Sequence, residues 1–375
     1  MSGTSLDGID AALVSLRPAG QSYTIELIDF ATSAYDAALG AALTELLPPN
    51  PGTAARMAAA HKALGEAYAD AAAAIAAKRR IDYVAMHGQT VFHDGDRSQT
   101  LQLGSPYFLR DRLQATVCFD FRSADCALGG HGAPLVPYVD YLLLSSERED
   151  RVAVNIGGIA NLTFMPRGGA SGDAVAFDSG PGNMLIDAFV ARRSDGTLRY
   201  DADGALAARG TVSETALRGM LADAYFAQPA PKSTGRERFG AQFLDEHRAA
   251  LDALSLEDGA ATLSALTAVT LAGELKRVAA SGTRVLISGG GTHNRTLVRM
   301  IEERLIGYDV EATPMRLAPD AKEAIAFALL GYETLRARPA NLPRVTGAAG
   351  PAVLGAIVPC ELPSLLERVR SECAE

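Results

Sequence analysis

Apolar runs of strand length that end on glycines recur along this chain, and they constrain its fold more than any other feature. RVAVNIGG spans 151–158, DAVAFDSGPGN spans 173–183 and RVLISGGG spans 284–291. A strand that stops on glycine brings backbone amides to one edge of a sheet, because glycine takes positive φ and lets a ligand come close. GIDAALVSL (8–16) and YTIELIDF (23–30) also read as strands, as do IDYVAMHG (81–88), ending at His87, and QATVCFDF (114–121). IANLTFM leads away from RVAVNIGG as another strand. Residues 53–79 read as one long alanine-rich helix, and 212–280 are mostly helical. MLIDAFVARR, NRTLVRMIEERL and KEAIAFALLGYETLRA have helical spacing as well. Strands alternating with helices predict an α/β protein with a largely buried sheet.

MSGTSLDGIDAALVSL and RVAVNIGGIANLTFM share one layout, a glycine-bearing turn followed by an outgoing apolar strand. A duplicated domain would give such a pair, although strand–glycine–strand is also common hairpin grammar. At 375 residues the chain suggests two domains more readily than one. A net charge of −9 gives no global basic field for nucleic acid or anionic lipid, so an anionic ligand needs local loop amides, lysines or magnesium. Cys118, Cys126, Cys360 and Cys373 lack CxxC spacing, which argues against a zinc knuckle or a disulfide scaffold. Apolar runs such as 71–77 meet charge well before membrane-spanning length, and no leader is evident, so a soluble cytoplasmic protein is expected.

Four stretches could carry chemistry. In the first turn Gly3 and Gly8 let amides converge on an anion, Thr4 and Ser5 add hydroxyls, and Asp7 could hold magnesium; a solvated hairpin tip is the alternative. SGGGTHN (288–294) suits a flat ligand at a helix N-terminus, or is a plain turn with Asn294 as cap. No GKS or GKT follows, and the stretch does not fit GxGxxG with a downstream ribose acid. Asp178 in FDSGPGN sits where a strand ends and suits a general base, unless it or Asn183 only caps the next helix. PKSTGRERFG (231–240) could touch phosphate, or be a solvated loop or subunit contact. His87 and His93 have no helical relation, so a strand-end histidine and a loop histidine are expected rather than a zinc site. Glu323 lies in a first helical turn, where dipole compensation alone would account for it.

In sequence order, MSGTSLDG, HGQT, FR-x-x-D with ALGG-x-GAPLVP, NIGGIANLT, FDSGPGNMLIDAF, PKSTGRE, SGGGTHN, KEAIAFA and NLP-x-VTGA resemble the anhydro-N-acetylmuramic acid kinases of bacterial cell-wall recycling, from residue 1 to about 357. The resemblance implies the fold of the actin, sugar-kinase and heat-shock ATPase superfamily, two ribonuclease-H-like domains hinged around an ATP cleft. By it, residues 1–125 plus 337–375 carry the first phosphate loop. Residues 126–336 carry the second, the catalytic aspartate and the adenosine loop. It also implies hydrolytic opening of 1,6-anhydro-N-acetylmuramic acid with phosphorylation of its 6-oxygen, with ATP and Mg²⁺, in a homodimer. Asp178 matches the aspartate that activates water. Gly3, Thr4, Ser5, Leu6, Asp7, Gly8, Ile9 and Asp10 match the first phosphate loop, with Asp7 toward the metal. Gly157 and Gly158 match the second, and Gly289, Gly290 and Gly291 the adenosine loop. Arg122, Asn183 and Glu323 match sugar-site positions, Arg122 suiting a lactyl carboxylate. The alternatives are another sugar kinase of the superfamily, a nucleotide switch without catalysis, or a glycosidase pairing Asp178 with Glu323.

Two departures stand out. His131 replaces a common glutamine. Relatives also carry an apolar first strand before MSGTSLDG, which here begins at residue 1. The expectation is a natural start upstream; a form lacking that strand should leave a sheet slot empty, bind ATP weakly and be less stable.

Overall fold

A computed structural model describes residues 1–3, 6, 8–19, 22–48, 50, 52–313 and 321–372. It divides into two units, 1–143 with 316–375, and 144–315. In the first, β1 (Ile9–Ala19) and β2 (Ser22–Ser33) form an antiparallel hairpin. β3 (Tyr83–Met86) leads into a second hairpin, β4 (Gln89–Asp94) with β5 (Gln99–Leu103). β6 (Thr116–Phe119) lies parallel to β3. The long helix Ala54–Ala76 is capped by Thr53 Oγ1, which accepts from the Arg56 N–H at 3.3 Å. Its Ala60, Leu64, Tyr68, Ala71 and Ile75 recur at three- and four-residue spacing and are buried, so a single apolar stripe meets the core.

The second unit holds one sheet. β7 (Arg151–Ile156) is its centre, with β8 (Ile159–Met165) and then β9 (Val175–Pro181) antiparallel on one side. On the other side, β10 (Arg284–Ser288) and β11 (Asp309–Ala312) run parallel to it, giving the order β11-β10-β7-β8-β9. Helix Leu256–Val278 is buried on nearly all faces, which its run of alanines and leucines allows. Ser255 Oγ caps it, and Glu257 and Asp258 at the start with Lys276 and Arg277 at the end oppose its dipole.

Three antiparallel strands followed by two parallel ones is ribonuclease-H-like order. The first unit repeats it with one strand missing. β1 and β2 correspond to β8 and β9, and β3 and β6 to β10 and β11; the short antiparallel β12 (Ala356–Val358) is added beyond β6. No described strand corresponds to β7. In its place, between β1 and β3, lies a cavity of about 470 Å³ lined by Ala12, Val14 and Leu16, by Tyr83 and Val84, and by Phe327. Met1 stands at its mouth. Its amine donates to the Asp10 carbonyl at 2.9 Å and its carbonyl accepts the Asp10 N–H at 2.8 Å, the exchange of an antiparallel strand pair. Burial lowers that amine to about 6, against Asp10 and Glu323, which raise it.

The unit boundaries differ from the 125/126 and 336/337 divisions expected. Helix Lys322–Leu335 belongs to the first unit because it packs on β3 and β6. Tyr83 Oη donates to the Ala328 carbonyl at 2.7 Å, Cys118 Sγ lies 3.6 Å from the Gly331 carbonyl, and Phe327 meets His87 and Phe121. Helix Val136–Leu144 belongs there too, with Tyr138 Oη donating to Glu333 Oε2 at 2.8 Å. His93, expected in a loop, lies on β4, paired across the hairpin with Thr100.

Candidate active site

Within the second unit three glycine turns meet at one end of the sheet. The turn at 157–158 follows β7, and its carbonyls accept from the turn after β9: Asn183 N–H to Gly157 O and Gly182 N–H to Gly158 O, both 2.8 Å. A Cβ on Gly182 would collide with the Gly157 carbonyl, so only glycine lets these turns touch. Thr267 Oγ1, from the buried helix, donates to the Gly182 carbonyl at 2.9 Å and fixes that turn from behind. The turn at 289–291 leans on the same strand end. Gly289 has φ +90, and a Cβ there would come within 2.7 Å of the Ile156 carbonyl and Asn155 Oδ1. Among the described residues the amides of Gly158, Gly289 and Gly290 donate to nothing. Bare amides at glycine turns are suited to phosphate and to a flat base. Asn294 caps helix Arg295–Arg304 through Leu297 N–H at 2.9 Å, so the capping reading of that asparagine holds beside the glycine run.

Asp178 stands on β9 four residues before Gly182. A bulge at Ser179 changes the register there, which re-aims a strand side chain. The aspartate caps no helix. Its Oδ2 accepts the Thr234 N–H at 2.9 Å and the Ser233 hydroxyl at 3.1 Å. Its own N–H donates to the Lys232 carbonyl at 3.0 Å, and Tyr225 Oη donates to its carbonyl at 2.7 Å. Among the described residues Oδ1 takes no hydrogen bond, which leaves it for water. Burial raises the carboxyl above the ordinary aspartate value, opposed by the Thr234 and Ser233 bonds and assisted by Glu237. Asn183 occupies the cap position of helix Met184–Arg193 without a side-chain cap bond.

In the first unit Gly3, Leu6, Gly8, Ile9 and Asp10 are described, whereas Thr4, Ser5 and Asp7 lie outside the described residues. The buried Gln89 of HGQT steadies this loop. Its Nε2 donates to the Gly3 carbonyl at 3.1 Å and its Oε1 accepts from Tyr35 Oη at 3.0 Å. Arg122 donates from Nε to His87 Nε2 at 3.0 Å and from Nη1 to the Gly132 carbonyl at 2.7 Å. Glu323 joins this group electrically. Its carboxyl is raised by surrounding protein and by Asp10, while Arg122 opposes the rise; its solvent access limits the burial effect.

Sequence reasoning missed Asp125, which binds the scattered motifs of this unit together. It is fully buried; Oδ1 accepts from Asn341 Nδ2 and Thr346 Oγ1, both 2.7 Å, and Oδ2 accepts the Gly132 N–H at 2.8 Å. The strings FR-x-x-D, GG-x-G and NLP-x-VTGA are thus one polar cluster behind Arg122.

Two α/β units, the second with ribonuclease-H-like strand order and glycine turns at the strand ends of its sheet, are of the actin-like ATPase fold class. The match to known proteins narrows the class. The family model described as Anhydro-N-acetylmuramic acid kinase matches residues 1–360. Relatives bearing that name include proteins from Caldanaerobacter subterraneus subsp. tengcongensis (39% identical over 95% of each chain), Streptomyces avermitilis (43%, over 96% of this chain and 93% of that one) and Xanthomonas campestris pv. campestris (42%, over 96% of each). A ROK family glucokinase from Streptomyces griseus, solved in complex with glucose and AMPPNP, superposes at TM-score 0.35 and 12% identity, covering 85% of this chain and 99% of that one. The chain belongs to the anhydro-N-acetylmuramic acid kinase family. It is an enzyme, a kinase of a sugar substrate with ATP.

Proposed function

We propose that Asp178 activates water to open the 1,6-anhydro bridge of 1,6-anhydro-N-acetylmuramic acid, and that ATP phosphorylates the freed 6-oxygen, giving N-acetylmuramic acid 6-phosphate. Water attacks C1 as its proton passes to Asp178 Oδ1; the C1–O6 bond breaks and O6 keeps the pair. O6 then bonds to the γ-phosphorus as the bond to ADP breaks, and Asp178 later releases its proton to solvent. The observation that carries this reading is the clamp on Asp178. One oxygen is held and the other is open, on a carboxyl whose proton affinity is raised toward what a base needs.

The glycine turns at 157–158 and 289–291 fit ATP, since the amides of Gly158, Gly289 and Gly290 are unpaired among the described residues and a Cβ at Gly290 would meet nothing within 4 Å. Arg122, with Nη2 unbonded among the described residues, fits the lactyl carboxylate, and Asn183 and Glu323 are proposed at the sugar. Magnesium bound with ATP would neutralise phosphate charge. Asp7, proposed to hold it, is outside the described residues, and the neighbouring Asp10 already accepts from Thr32 Oγ1 at 2.6 Å. The assignment extends to peptidoglycan recycling, the cytoplasm and a homodimer. Among the described residues no helix is long and apolar enough to cross a membrane.

Asp178→Asn tests it. We expect sugar-dependent ADP release to fall by about 10²- to 10⁴-fold with ATP still bound. Unchanged turnover removes Asp178 from the role.

A further inference from the structure

Lys232 is a buried lysine that the reaction above does not use, and its surroundings give it a purpose. It is 8% exposed, and its Nζ donates to Glu274 Oε1 at 2.7 Å and to the Tyr225 carbonyl at 3.1 Å, with the ammonium 4.6 Å from the Tyr225 ring centre. Glu274, 4% exposed, projects from the buried helix Leu256–Val278 and also accepts from Arg277 at 2.9 Å. Two charges removed from water cost more to desolvate than a loop anchor requires, so the pair is poor economy as a stabiliser alone. The segment it anchors is short. Lys232 itself accepts the Asp178 N–H on its carbonyl, and the next two residues supply both donors to Asp178 Oδ2. Tyr225, whose carbonyl the same ammonium holds, donates its hydroxyl to the Asp178 carbonyl. Both side-chain hydrogen bonds of Asp178, and its backbone bonds to Lys232 and Tyr225, therefore come from residues beside or held by one ammonium–carboxylate pair.

We infer that the Lys232–Glu274 pair is a positioning device for the catalytic carboxylate, fixing the 232–234 segment so that Asp178 presents Oδ1 to water. The inference rests on the role proposed for Asp178. Removing the pair loosens the two hydrogen bonds that hold down the proton affinity of Asp178, so its carboxyl titrates higher and its direction is lost. The charged and titratable groups around it are Tyr225 from helix Ala224–Ala227 and Glu237 from the turn after Thr234, with Lys232, Glu274 and Arg277 behind them.

The test compares Lys232→Met, Glu274→Gln and the double variant, in which no buried charge is stranded, in the full-length protein. Rate against pH is measured with ATP and the anhydro-sugar. The expected result is a kcat at least ten-fold lower, KM values for both substrates within three-fold, and an acidic limb displaced upward. Ser233→Ala should lower kcat in the otherwise unaltered chain and add less than two-fold in the double variant. A double variant that keeps the wild-type acidic limb, or in which Ser233→Ala costs its full amount, overturns the inference. Should the double variant not fold, Glu274→Gln carries the same two comparisons, because it retains a hydrogen-bonding amide opposite Lys232. Asp178→Asn is run alongside. If it stays active, the reading of Asp178 fails; if it is inactive while the limb does not move, only the role of the pair fails.

Discussion

His87 shows how burial and a neighbouring guanidinium, that of Arg122, together set the charge of one residue. Burial, then the charges of Arg122 and the amino terminus, depress its imidazole to about 3. The ring is therefore neutral, Nδ1–H donating to the Gly88 carbonyl at 2.8 Å and Nε2 accepting from Arg122. The unfolded chain takes up this proton near pH 6.5 and the folded chain only near 3. Stability from this residue is thus complete above about 6.5 and falls as pH drops toward 3. Urea unfolding of His87→Gln, whose amide can make both bonds, should lose less stability than wild type between pH 7 and pH 5, by about 2 kcal/mol. Parallel losses in the two proteins would contradict it. Asp178 was legible in sequence only as a candidate, since a carboxylate closing an apolar strand suits a general base or a helix cap equally, and the resemblance favoured the first. The donors that hold it were not. Ser233 and Thr234 lie 55 and 56 residues away, in a stretch without a preceding strand, where phosphate contact and a solvated loop read equally well.

Among the elements, glycine turns carry the proposed ATP site. Gly182→Ala places a methyl against the Gly157 carbonyl and should separate the turns at 157–158 and 182–183. ATP affinity should drop by at least about ten-fold, some 1.4 kcal/mol, with helix content by circular dichroism unchanged; wild-type affinity would show that the contact is dispensable. The cavity beside β1 makes a second prediction. A strand-length segment of alternating apolar residues joined to the Met1 amine would pair along β1 and fill the place that β7 takes in the second unit. It would also replace an amine depressed to about 6, whose cost grows as pH falls from 8 to 6, with a neutral amide. The extended protein should melt at least about 3 °C higher, with a flatter stability profile between pH 8 and 6. Equal melting temperatures would mean that the cavity does not accept a strand. Long periodic elements were readable: 53–79 was expected as helix and 54–76 forms, stopping where Ala77 turns left-handed at φ 46. The β4–β5 hairpin escaped notice because its polar residues, His93, Asp94, Gln99 and Thr100, hide the alternation.

For the whole molecule, the α/β class followed from strands alternating with helices, whereas the shared strand–glycine–strand layout left duplication and a common hairpin both open until the resemblance favoured duplication, and the borders between units were not legible. The division implied by the resemblance puts helix Lys322–Leu335 in the second unit, whereas its apolar face, with Phe327 on His87 and Phe121, is claimed by β3 and β6. Pattern reveals which residues need burial, not which sheet buries them. The second unit is continuous in sequence, with its own sheet and a core from Val152 to Leu305. Residues 144–315 expressed alone should unfold in one cooperative transition; a molten profile would show that the core depends on the rest of the chain. In the proposed reaction one enzyme joins water to C1 and phosphate to O6. Incubation with ATP, Mg²⁺ and the anhydro-sugar in ¹⁸O-water, read by mass spectrometry at early times, tests it most directly. One ¹⁸O at C1 of a 6-phosphorylated sugar is expected. Label in inorganic phosphate, or a phosphorylated product with none at C1, would contradict it.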